Sequence, residues 1–384
     1  MNIVFVSNYY NHHQHPLSQE LFKLCHGEFT FVATSEMRAD RKALGYVQDS
    51  APDYVLRAHT SEETKKLCLK RILDADVVLA GSAPEEYFNA RRKAGKLILR
   101  YAERPLKTKT PFWRAVPRYL RWHIRNPRQK PIYLLAASAY APYDFSRYGV
   151  FRDRAFRWGY FPQAKHYDDV DQLLEKKNAQ KILWAGRHLD WKRPDDAVFV
   201  AQELKKKSLP FRMEIIGTGP MTDSLKRQIE EAGLCDCVTL LGSMPPENVR
   251  AHMEEAGIYL FTSNRQEGWG AVLNEALNSG CAVVASRAIG SAPFLLSDRE
   301  NGILYPSNDR KALCRAVEEL LTDLALQKRL GQRGYRTVTE EWNPQNAANR
   351  LFRLCETLLS GQDPRSLFAA GPCSPAPVLK DETP

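Results

Sequence analysis

Between Asn264 and Ser286 the chain reads NRQEGWGAVLNEALNSGCAVVAS, and two of its carboxylates, Glu267 and Glu275, stand eight positions apart around a Gly-Trp-Gly turn. A carboxylate suits a sugar hydroxyl, because it accepts two or more O–H hydrogen bonds and charge-assisted bonds are the strong ones. Gly268 and Gly270 free the backbone to turn sharply and to approach a ligand. The residues after them read as a short helix whose first N–H groups have no partner inside the helix, an arrangement that suits phosphate. Glu267 would precede that helix and Glu275 would lie about one turn inside it, so the pair would flank an anion. The implied ligand is a diphosphate with a sugar at each end.

The cations such a ligand needs are found upstream. After the strand Lys181–Ala185 the chain continues GRHLDWKRPDDAV, with Arg187 and Lys192 straddling a turn before a helix that starts near Pro194. Together they would clamp a diphosphate and steady the negative charge that grows on it as a glycosidic bond breaks. The spacing alone equally allows two solvated charges beside a helix start. Gly217 to Pro220, GTGP, follows the strand Phe211–Ile216 and lets backbone approach a ligand, although an ordinary tight turn is the more frequent meaning of a lone GxG.

These loops hang from a regular series of elements. Apolar strands over Asn2–Ser7, Phe29–Thr34, Asp53–Ala58, Asp76–Ala80, Lys96–Arg100 and Ile132–Ala137 alternate with segments of helical spacing. A polar stretch, Tyr160 to Gln180, reads as a linker and a helix. A second series follows over Lys181–Ala185, Phe211–Ile216, Val238–Leu241, Ile258–Thr262 and Ala282–Ser286. Alternation of this kind implies two parallel sheets covered on both faces, with ligands at the carboxyl ends of the strands and a cleft between the two sheets. The domains expected are 1–160 and 179–343, joined by a linker over 161–178. The 384 residues, 43% apolar and 26% charged, suit two globular domains. No apolar stretch approaches eighteen residues and no signal peptide is evident, so a cytoplasmic protein is expected. The eight cysteines are scattered, with only a CxC at Cys235 and Cys237, and read as reduced thiols. A net charge of +10 favours an anionic partner without choosing among phosphorylated substrate, membrane and nucleic acid. The loop after the first strand, SNYYNHH, lacks GxGxxG, which argues against a dinucleotide oxidoreductase.

In order along the chain, the GR with its downstream lysine, IIGTGP, LGSMPPENV, EGWGAVLNEAL with its E-x7-E spacing, CAVVAS and NGILYP resemble the donor domain of retaining GT-B glycosyltransferases of family 4, the group 1 glycosyltransferases. The resemblance runs from Ile182 to about Leu321. It implies an α/β protein of two Rossmann-like domains facing a deep cleft, a nucleotide-diphosphate sugar as donor, and no cofactor or metal. Arg187 and Lys192 would act on the diphosphate and Glu267 on the transferred sugar. Gly186, Gly217 and Gly219 would belong to the donor loops, and Gly268, Trp269, Gly270, Ala271, Val272 and Leu273 would offer backbone N–H groups. Glu275 would bind the ribose. The bland readings are a surface carboxylate for Glu275 and a core aromatic for Trp269. A non-catalytic nucleotide-sugar-binding protein and a sugar-nucleotide epimerase remain alternatives on the same fold.

The N-terminal half resembles the family less closely and should face the acceptor. Its first loop carries His12, His13 and His15, a set that can ligate a metal or carry a proton, but no nearby carboxylate completes a metal cage; the reading is polar acceptor recognition, with a merely solvated loop as the alternative. Many relatives carry a histidine after the fourth or fifth strand, where this chain has GSAPEE and RYAERPLK; Glu103 and Arg104 stand at that acceptor-side position, with a structural salt bridge as the plain alternative for Glu103. From Arg104 to Lys130 there are nine Lys and Arg and no acidic residue, interleaved with Phe112, Trp113, Tyr119 and Trp122. Trp113, Val116, Leu120 and Ile124 fall at helical spacing, although Pro117 interrupts the pattern. This composition suits an anionic membrane surface or a lipid-diphosphate acceptor, ahead of a solvated face or oligomer contact and of nucleic acid. What the family resemblance implies is a glycan acceptor, lipid-linked at the inner face of the membrane, in bacterial surface-polysaccharide synthesis. A final helix, about 345–360, would cross back to the first domain as in GT-B proteins. Residues 361–384, with five prolines, read as a disordered tail.

Overall fold

The computed structural model describes residues 1–37, 52–108 and 115–381. The chain forms two compact units, Met1–Gln163 with Glu341–Lys380, and Ala164–Glu340 with Asp381.

The first unit is built on seven strands: β1 (Ile3–Ser7), β2 (Phe29–Ala33), β3 (Val55–Arg57), β4 (Val77–Ala80), β5 (Ile98–Ala102), β6 (Ile132–Ala136) and β7 (Ala155–Arg157), in the order β3-β2-β1-β4-β5-β6-β7. Every neighbouring pair is parallel, and β1 runs down the middle with Val4 beside Thr30 on one side and Val78 on the other. Ile3, Val4, Phe5 and Val6 are all fully buried, which is why this strand reads as an unbroken apolar run rather than an alternating one. The second unit repeats the plan with β8 (Asn178–Ala185), β9 (Arg212–Ile216), β10 (Val238–Gly242), β11 (Ala256–Phe261), β12 (Ala282–Ser286) and β13 (Ile303–Tyr305), in the order β10-β9-β8-β11-β12-β13. Sequence reading misses β7 and β13 as strands; each is a three-residue edge strand with too few residues to display a period.

In both sheets the chain builds outward from its first strand in one direction and then returns to build in the other. The switch falls between β1 and β4 in one sheet and between β8 and β11 in the other. Loops leaving the carboxyl ends of these neighbours turn to opposite faces, which opens a crevice there.

One helix of the first unit departs from the pattern of buried faces. Residues Ala115–Arg125 form a continuous helix, and Pro117 lies in its first turn, where a missing N–H breaks no intrahelical bond. Trp122 packs inward, edge-on to Phe145 with ring centroids 4.8 Å apart. Val116, Leu120 and Ile124 point outward and are 58%, 55% and 70% exposed. Phe112, Trp113 and Arg114 of the basic aromatic segment lie outside the described residues. No helix among the described residues is long and apolar enough to cross a membrane.

The chain end corrects the sequence reading. The helix Pro344–Leu359 packs against the helix His15–Leu24 of the first unit. Beyond it, residues 361–380 are ordered rather than a disordered tail. Asp363 caps a single turn, Pro364–Ser366, and Arg350 lies 4.8 Å from the Phe368 ring centroid. The N–H groups of Cys373 and Ala376 donate to the carbonyls of Arg157 and Ala155 at 2.8 and 2.9 Å, and the Arg157 N–H donates to Ser374 O at 2.8 Å. The segment thus runs antiparallel along the outer edge of β7, with Cys373 and Ser374 fully buried. Prolines remove periodicity from the sequence, but they leave the alternate donors and acceptors that pair with the edge.

A chain ending at Ser360 should lose these three bonds, each worth about 1 kcal/mol net, partly offset by the freed entropy of the strap. We expect a fall in unfolding free energy of about 1–3 kcal/mol by urea titration. An unchanged midpoint would show that the strap does not support the first unit.

Candidate functional site

The crevice between β8 and β11 is shaped by two loops that are fastened to each other. After Ala185 the chain passes through Gly186 to a short turn, Asp190–Lys192, and then Arg193, in the left-handed region at φ +55°, starts the helix Pro194–Lys206. After Phe261 comes Thr262, which is buried and acts as the fastener. Its single O–H is shared between the carbonyls of Lys192 (2.9 Å) and Arg193 (2.8 Å), and its oxygen accepts from the Trp184 indole N–H at 2.8 Å. One residue pair further on, the Asn264 N–H donates to Trp191 O at 2.9 Å.

This fastening brings together two residues singled out from separate motifs. Lys192 Nζ is hydrogen-bonded to Glu267 Oε2, and the Ser263 hydroxyl donates to the same oxygen at 2.9 Å. Both side chains are largely withdrawn from solvent, at 16% and 10% exposure. The ammonium also lies 4.7 Å from the Trp191 ring centroid and 5.9 Å from that of Phe261, whose faces favour a cation. Arg187, by contrast, is exposed and has no side-chain hydrogen bond or ion pair among the described residues. Thr262, Ser263 and Trp191 went unnoticed in the sequence; the only signal was a polar pair ending the apolar strand β11.

The glycines are explained largely by the protein's own backbone. At Gly217, with φ +125°, a Cβ would sit 1.9 Å from Gly186 O, and at Gly219 one would sit 2.7 Å from His188 O. The turn after β9 is therefore pressed onto the loop after β8, joined by His188 N–H to Thr218 O (2.9 Å) and Met221 N–H to His188 O (3.0 Å). The close approach read from GTGP is to this loop. At Gly270, φ +83°, a Cβ would lie 2.4 Å from the Phe261 ring and 3.1 Å from Glu267 Cγ, so any side chain there would displace the carboxylate. One reading of a backbone donor needs correction. Leu273 is fully buried and its N–H is already donated to Gly270 O at 3.0 Å. Trp269 is also fully buried, with its indole N–H donated to Asn274 Oδ1 at 3.0 Å, so its ring is core and only its backbone lies on the turn. Gly268 is buried, and Ala271 and Val272 are half-buried at the entry to the helix Val272–Asn278.

Glu275, in that helix, keeps part of its surface in solvent, but protein surrounds its carboxyl group. Burial pushes its pKa above the ordinary carboxylate range, with the positive charge of Arg250 pulling weakly the other way. His188 was not noticed in the sequence. It is fully buried, its Nδ1 is 2.9 Å from Thr222 Oγ1, its Nε2 has no hydrogen-bond partner, and burial lowers its pKa.

In the first unit the acceptor-side candidates divide. His12 and His13 lie on the loop after β1 with ring centroids 3.8 Å apart, and His13 stacks toward Tyr160 at 6.1 Å. Burial lowers the His12 pKa. Glu103, after β5, accepts from the Tyr160 hydroxyl at 2.7 Å and pairs with Lys107 at 2.5 Å while staying partly exposed. The reading of Arg104 is corrected: it is buried, grips Asp144 through Nε (3.1 Å) and a terminal nitrogen (3.2 Å), and lies 5.0 Å from the Tyr140 ring centroid. That arginine holds the loop after β5 to the helix Ala141–Ser146 and is not presented to a ligand. Among the described residues no three His, Cys, Asp or Glu side chains converge to hold a metal ion.

Residues 167–337 match the family model of glycosyl transferases group 1. The amylovoran biosynthesis glycosyltransferase AmsK of Erwinia amylovora is 32% identical over 145 residues, 36% of this chain and 35% of that protein. The GDP-mannose-dependent alpha-(1-6)-phosphatidylinositol monomannoside mannosyltransferase of Mycolicibacterium smegmatis is 27% identical over 179 residues, 45% of this chain and 47% of that one. The chain thus spans less than half the length of either relative. In three dimensions it resembles Alr3699/HepE of Anabaena, solved in complex with UDP, with a TM-score of 0.68 at 15% identity over 94% of this chain and 100% of that one. That likeness establishes the fold: two Rossmann-like parallel-sheet domains of the GT-B class, with the family match confined to the second.

Thr262→Val keeps the volume but removes the fastener, leaving the Trp184 N–H and two carbonyls short of a partner. We expect a loss of about 1–3 kcal/mol in stability, read from tryptophan fluorescence during urea unfolding. An unchanged midpoint would mean that the two loops are held by other contacts.

Proposed function

We propose that the protein is a retaining glycosyltransferase that moves a sugar from a nucleotide-diphosphate sugar to a hydroxyl of a glycan. In this reading it works without a cofactor or metal ion. The observation that carries the proposal is the Lys192–Glu267 pair, held by Ser263 and the Thr262 fastener at the switch of the second sheet. Open parallel sheets bind ligands at that point, and a cation there answers a diphosphate while a carboxylate answers sugar hydroxyls. The family match over 167–337 and the binding of UDP by the structurally similar Anabaena protein support a nucleotide sugar as donor.

The chemistry follows from those groups. The bond from the anomeric carbon to the diphosphate breaks as a bond to the acceptor oxygen forms on the same face, and the acceptor proton passes to the departing phosphate oxygen. Lys192 and the unpaired Arg187 stabilise the charge left on the diphosphate. Glu267 accepts hydrogen bonds from the transferred sugar and keeps the Lys192 ammonium in place before the donor arrives. Glu275 accepts from the ribose hydroxyls, whose donors would favour the charged form that burial disfavours. His12, His13 and Glu103 are the acceptor-side groups. A lipid-linked glycan of bacterial surface polysaccharide is the acceptor we favour, reached from the inner face of the cytoplasmic membrane. The two relatives, a glycosyltransferase of amylovoran biosynthesis and a mannosyltransferase acting on a phosphatidylinositol monomannoside, support that choice. So does the exposed ridge of the helix Ala115–Arg125.

Glu267→Ala should abolish sugar transfer while nucleotide binding, followed by thermal shift, persists; loss of binding together with turnover would point to a merely structural carboxylate. Lys192→Ala should lower kcat by roughly 10²–10³-fold, the usual effect of removing one donor to a developing anion. Retention of near-normal kcat in that variant would remove the lysine from the chemistry.

Glu275→Gln separates function from stability. Because the folded state holds the Glu275 proton more tightly than the unfolded chain, stability falls as pH rises from the ordinary carboxylate range through the folded pKa. The glutamine variant should therefore melt higher than the parent at neutral pH and converge with it in acid, yet bind nucleotide more weakly by calorimetry. Unchanged nucleotide affinity would free Glu275 from the ribose role.

A further inference from the structure

We infer that the first unit carries a pocket for the phosphate of an anionic glycerophospholipid head group, formed by His123, Arg128 and Arg152 beside the exposed ridge Val116, Leu120 and Ile124. It rests on the membrane part of the function proposed above and supplies the residues and the ligand chemistry.

The ridge and the pocket share one helix. At the carboxyl end of Ala115–Arg125 a cavity of about 400 Å³, open mouth included, is lined by His123, Asn126, Arg128, Gly149, Phe151 and Arg152 among others. It would take the phosphate and leave the rest of the lipid to the surface and the ridge. No carboxylate lines it; Asp153, in the same loop as Arg152, is not part of the wall. Arg128 and Arg152 are exposed and have no hydrogen-bond or ion-pair partner among the described residues. Arg154, deeper in the wall, already donates to Lys130 O at 2.8 Å and lies 5.5 Å from the Tyr133 ring centroid, so it frames the site.

Two details suit an anion. His123 Nε2 is buried without a hydrogen-bond partner, which is costly for an imidazole nitrogen unless a ligand completes it. The facing residue is Gly149, φ +70°, where a Cβ would stand 2.9 Å from that nitrogen, so the glycine keeps the imidazole edge clear. The negative end of the helix, which would otherwise repel phosphate, is answered from inside. The Asn126 backbone and side-chain N–H groups donate to Trp122 O at 2.9 and 3.1 Å, and Arg100 reaches Arg125 O at 3.4 Å.

Charge selects the occupant of the ridge. Arg118, Arg121, Arg125, Arg128 and Lys130 flank it on a chain of net charge +10, so a second copy would bring like charge to like charge. An anionic bilayer supplies both the counter-charge and the apolar layer that Val116, Leu120 and Ile124 lack. Ile124 follows His123 directly, so an isoleucine in the acyl region sets the imidazole at the level of the phosphates.

Co-sedimentation of the full chain with vesicles tests this, using phosphatidylcholine alone, with phosphatidylglycerol, and with oleate at equal zeta potential. The parent should sediment with phosphatidylglycerol more strongly than with oleate and not with phosphatidylcholine alone. Arg128→Ala/Arg152→Ala should weaken phosphatidylglycerol binding about 25-fold or more, at about fivefold for each cation near an anionic surface, and erase the preference over oleate. Ile124→Asp should abolish binding to both, and thermal melts by circular dichroism should match the parent. If the double variant binds each lipid as the parent does, or the parent shows no preference for the phosphate lipid, the pocket fails while the membrane reading stands. If the parent sediments with no anionic vesicle, both fail. A dimer by light scattering that Ile124→Asp converts to monomer would assign the ridge to a second copy and overturn the inference.

Discussion

A single hydroxyl, that of Thr262, holds the second unit's site together. At a topological switch the two central loops leave their strands toward opposite faces, and nothing in the sheet itself keeps them in register. Thr262 closes that gap with one O–H shared between two successive carbonyls of the β8 loop and one bond accepted from the indole of Trp184 at the end of β8. Because it is buried, each bond acts in a low dielectric and each unmade bond would be expensive. The position of Lys192, and through it the carboxylate of Glu267, follows from this one residue.

The Lys192–Glu267 pair itself is poor evidence of a stabilising device. Withdrawing both charges from water costs more than their attraction returns unless every remaining lone pair is satisfied, and an apolar pair of similar size would hold two loops as well. Ser263 and the faces of Trp191 and Phe261 only partly make up the difference. The pair makes better sense as two charges kept apart from solvent until a ligand with its own complementary charges divides them. Glu275 carries a related strain, since burial raises its pKa and the charge of Arg250 opposes that shift.

Most strands were legible because parallel sheets bury both faces and leave continuous apolar runs, as in Ile3–Val6. The spacing of Glu267 and Glu275 and the position of Lys192 were legible because local turns set them. What one sequence hides is contact between distant residues. Arg104 reads as a spare cation until Asp144, forty positions later, is found against it. Gly217 and Gly219 read as ligand glycines until Gly186 and His188 are seen pressed on them. Leu273 reads as a donor until its N–H is traced to Gly270. The strap after Leu359 escaped for a different reason: pairing along an edge needs only every second backbone group, so it leaves no side-chain period to detect.

That strap also governs how the protein meets its own kind. A parallel sheet of seven strands ends, at β7, in a row of backbone groups able to accept another chain, and such rows nucleate sheet-to-sheet association. The segment from Pro372 to Pro377 occupies the row with a strand that carries a proline at 372, 375 and 377. Proline has no N–H to offer, so the segment pairs inward and presents an outer face on which a further strand finds few donors. The strap thereby ends the sheet as a polymerisable surface, and a chain without it carries an open edge.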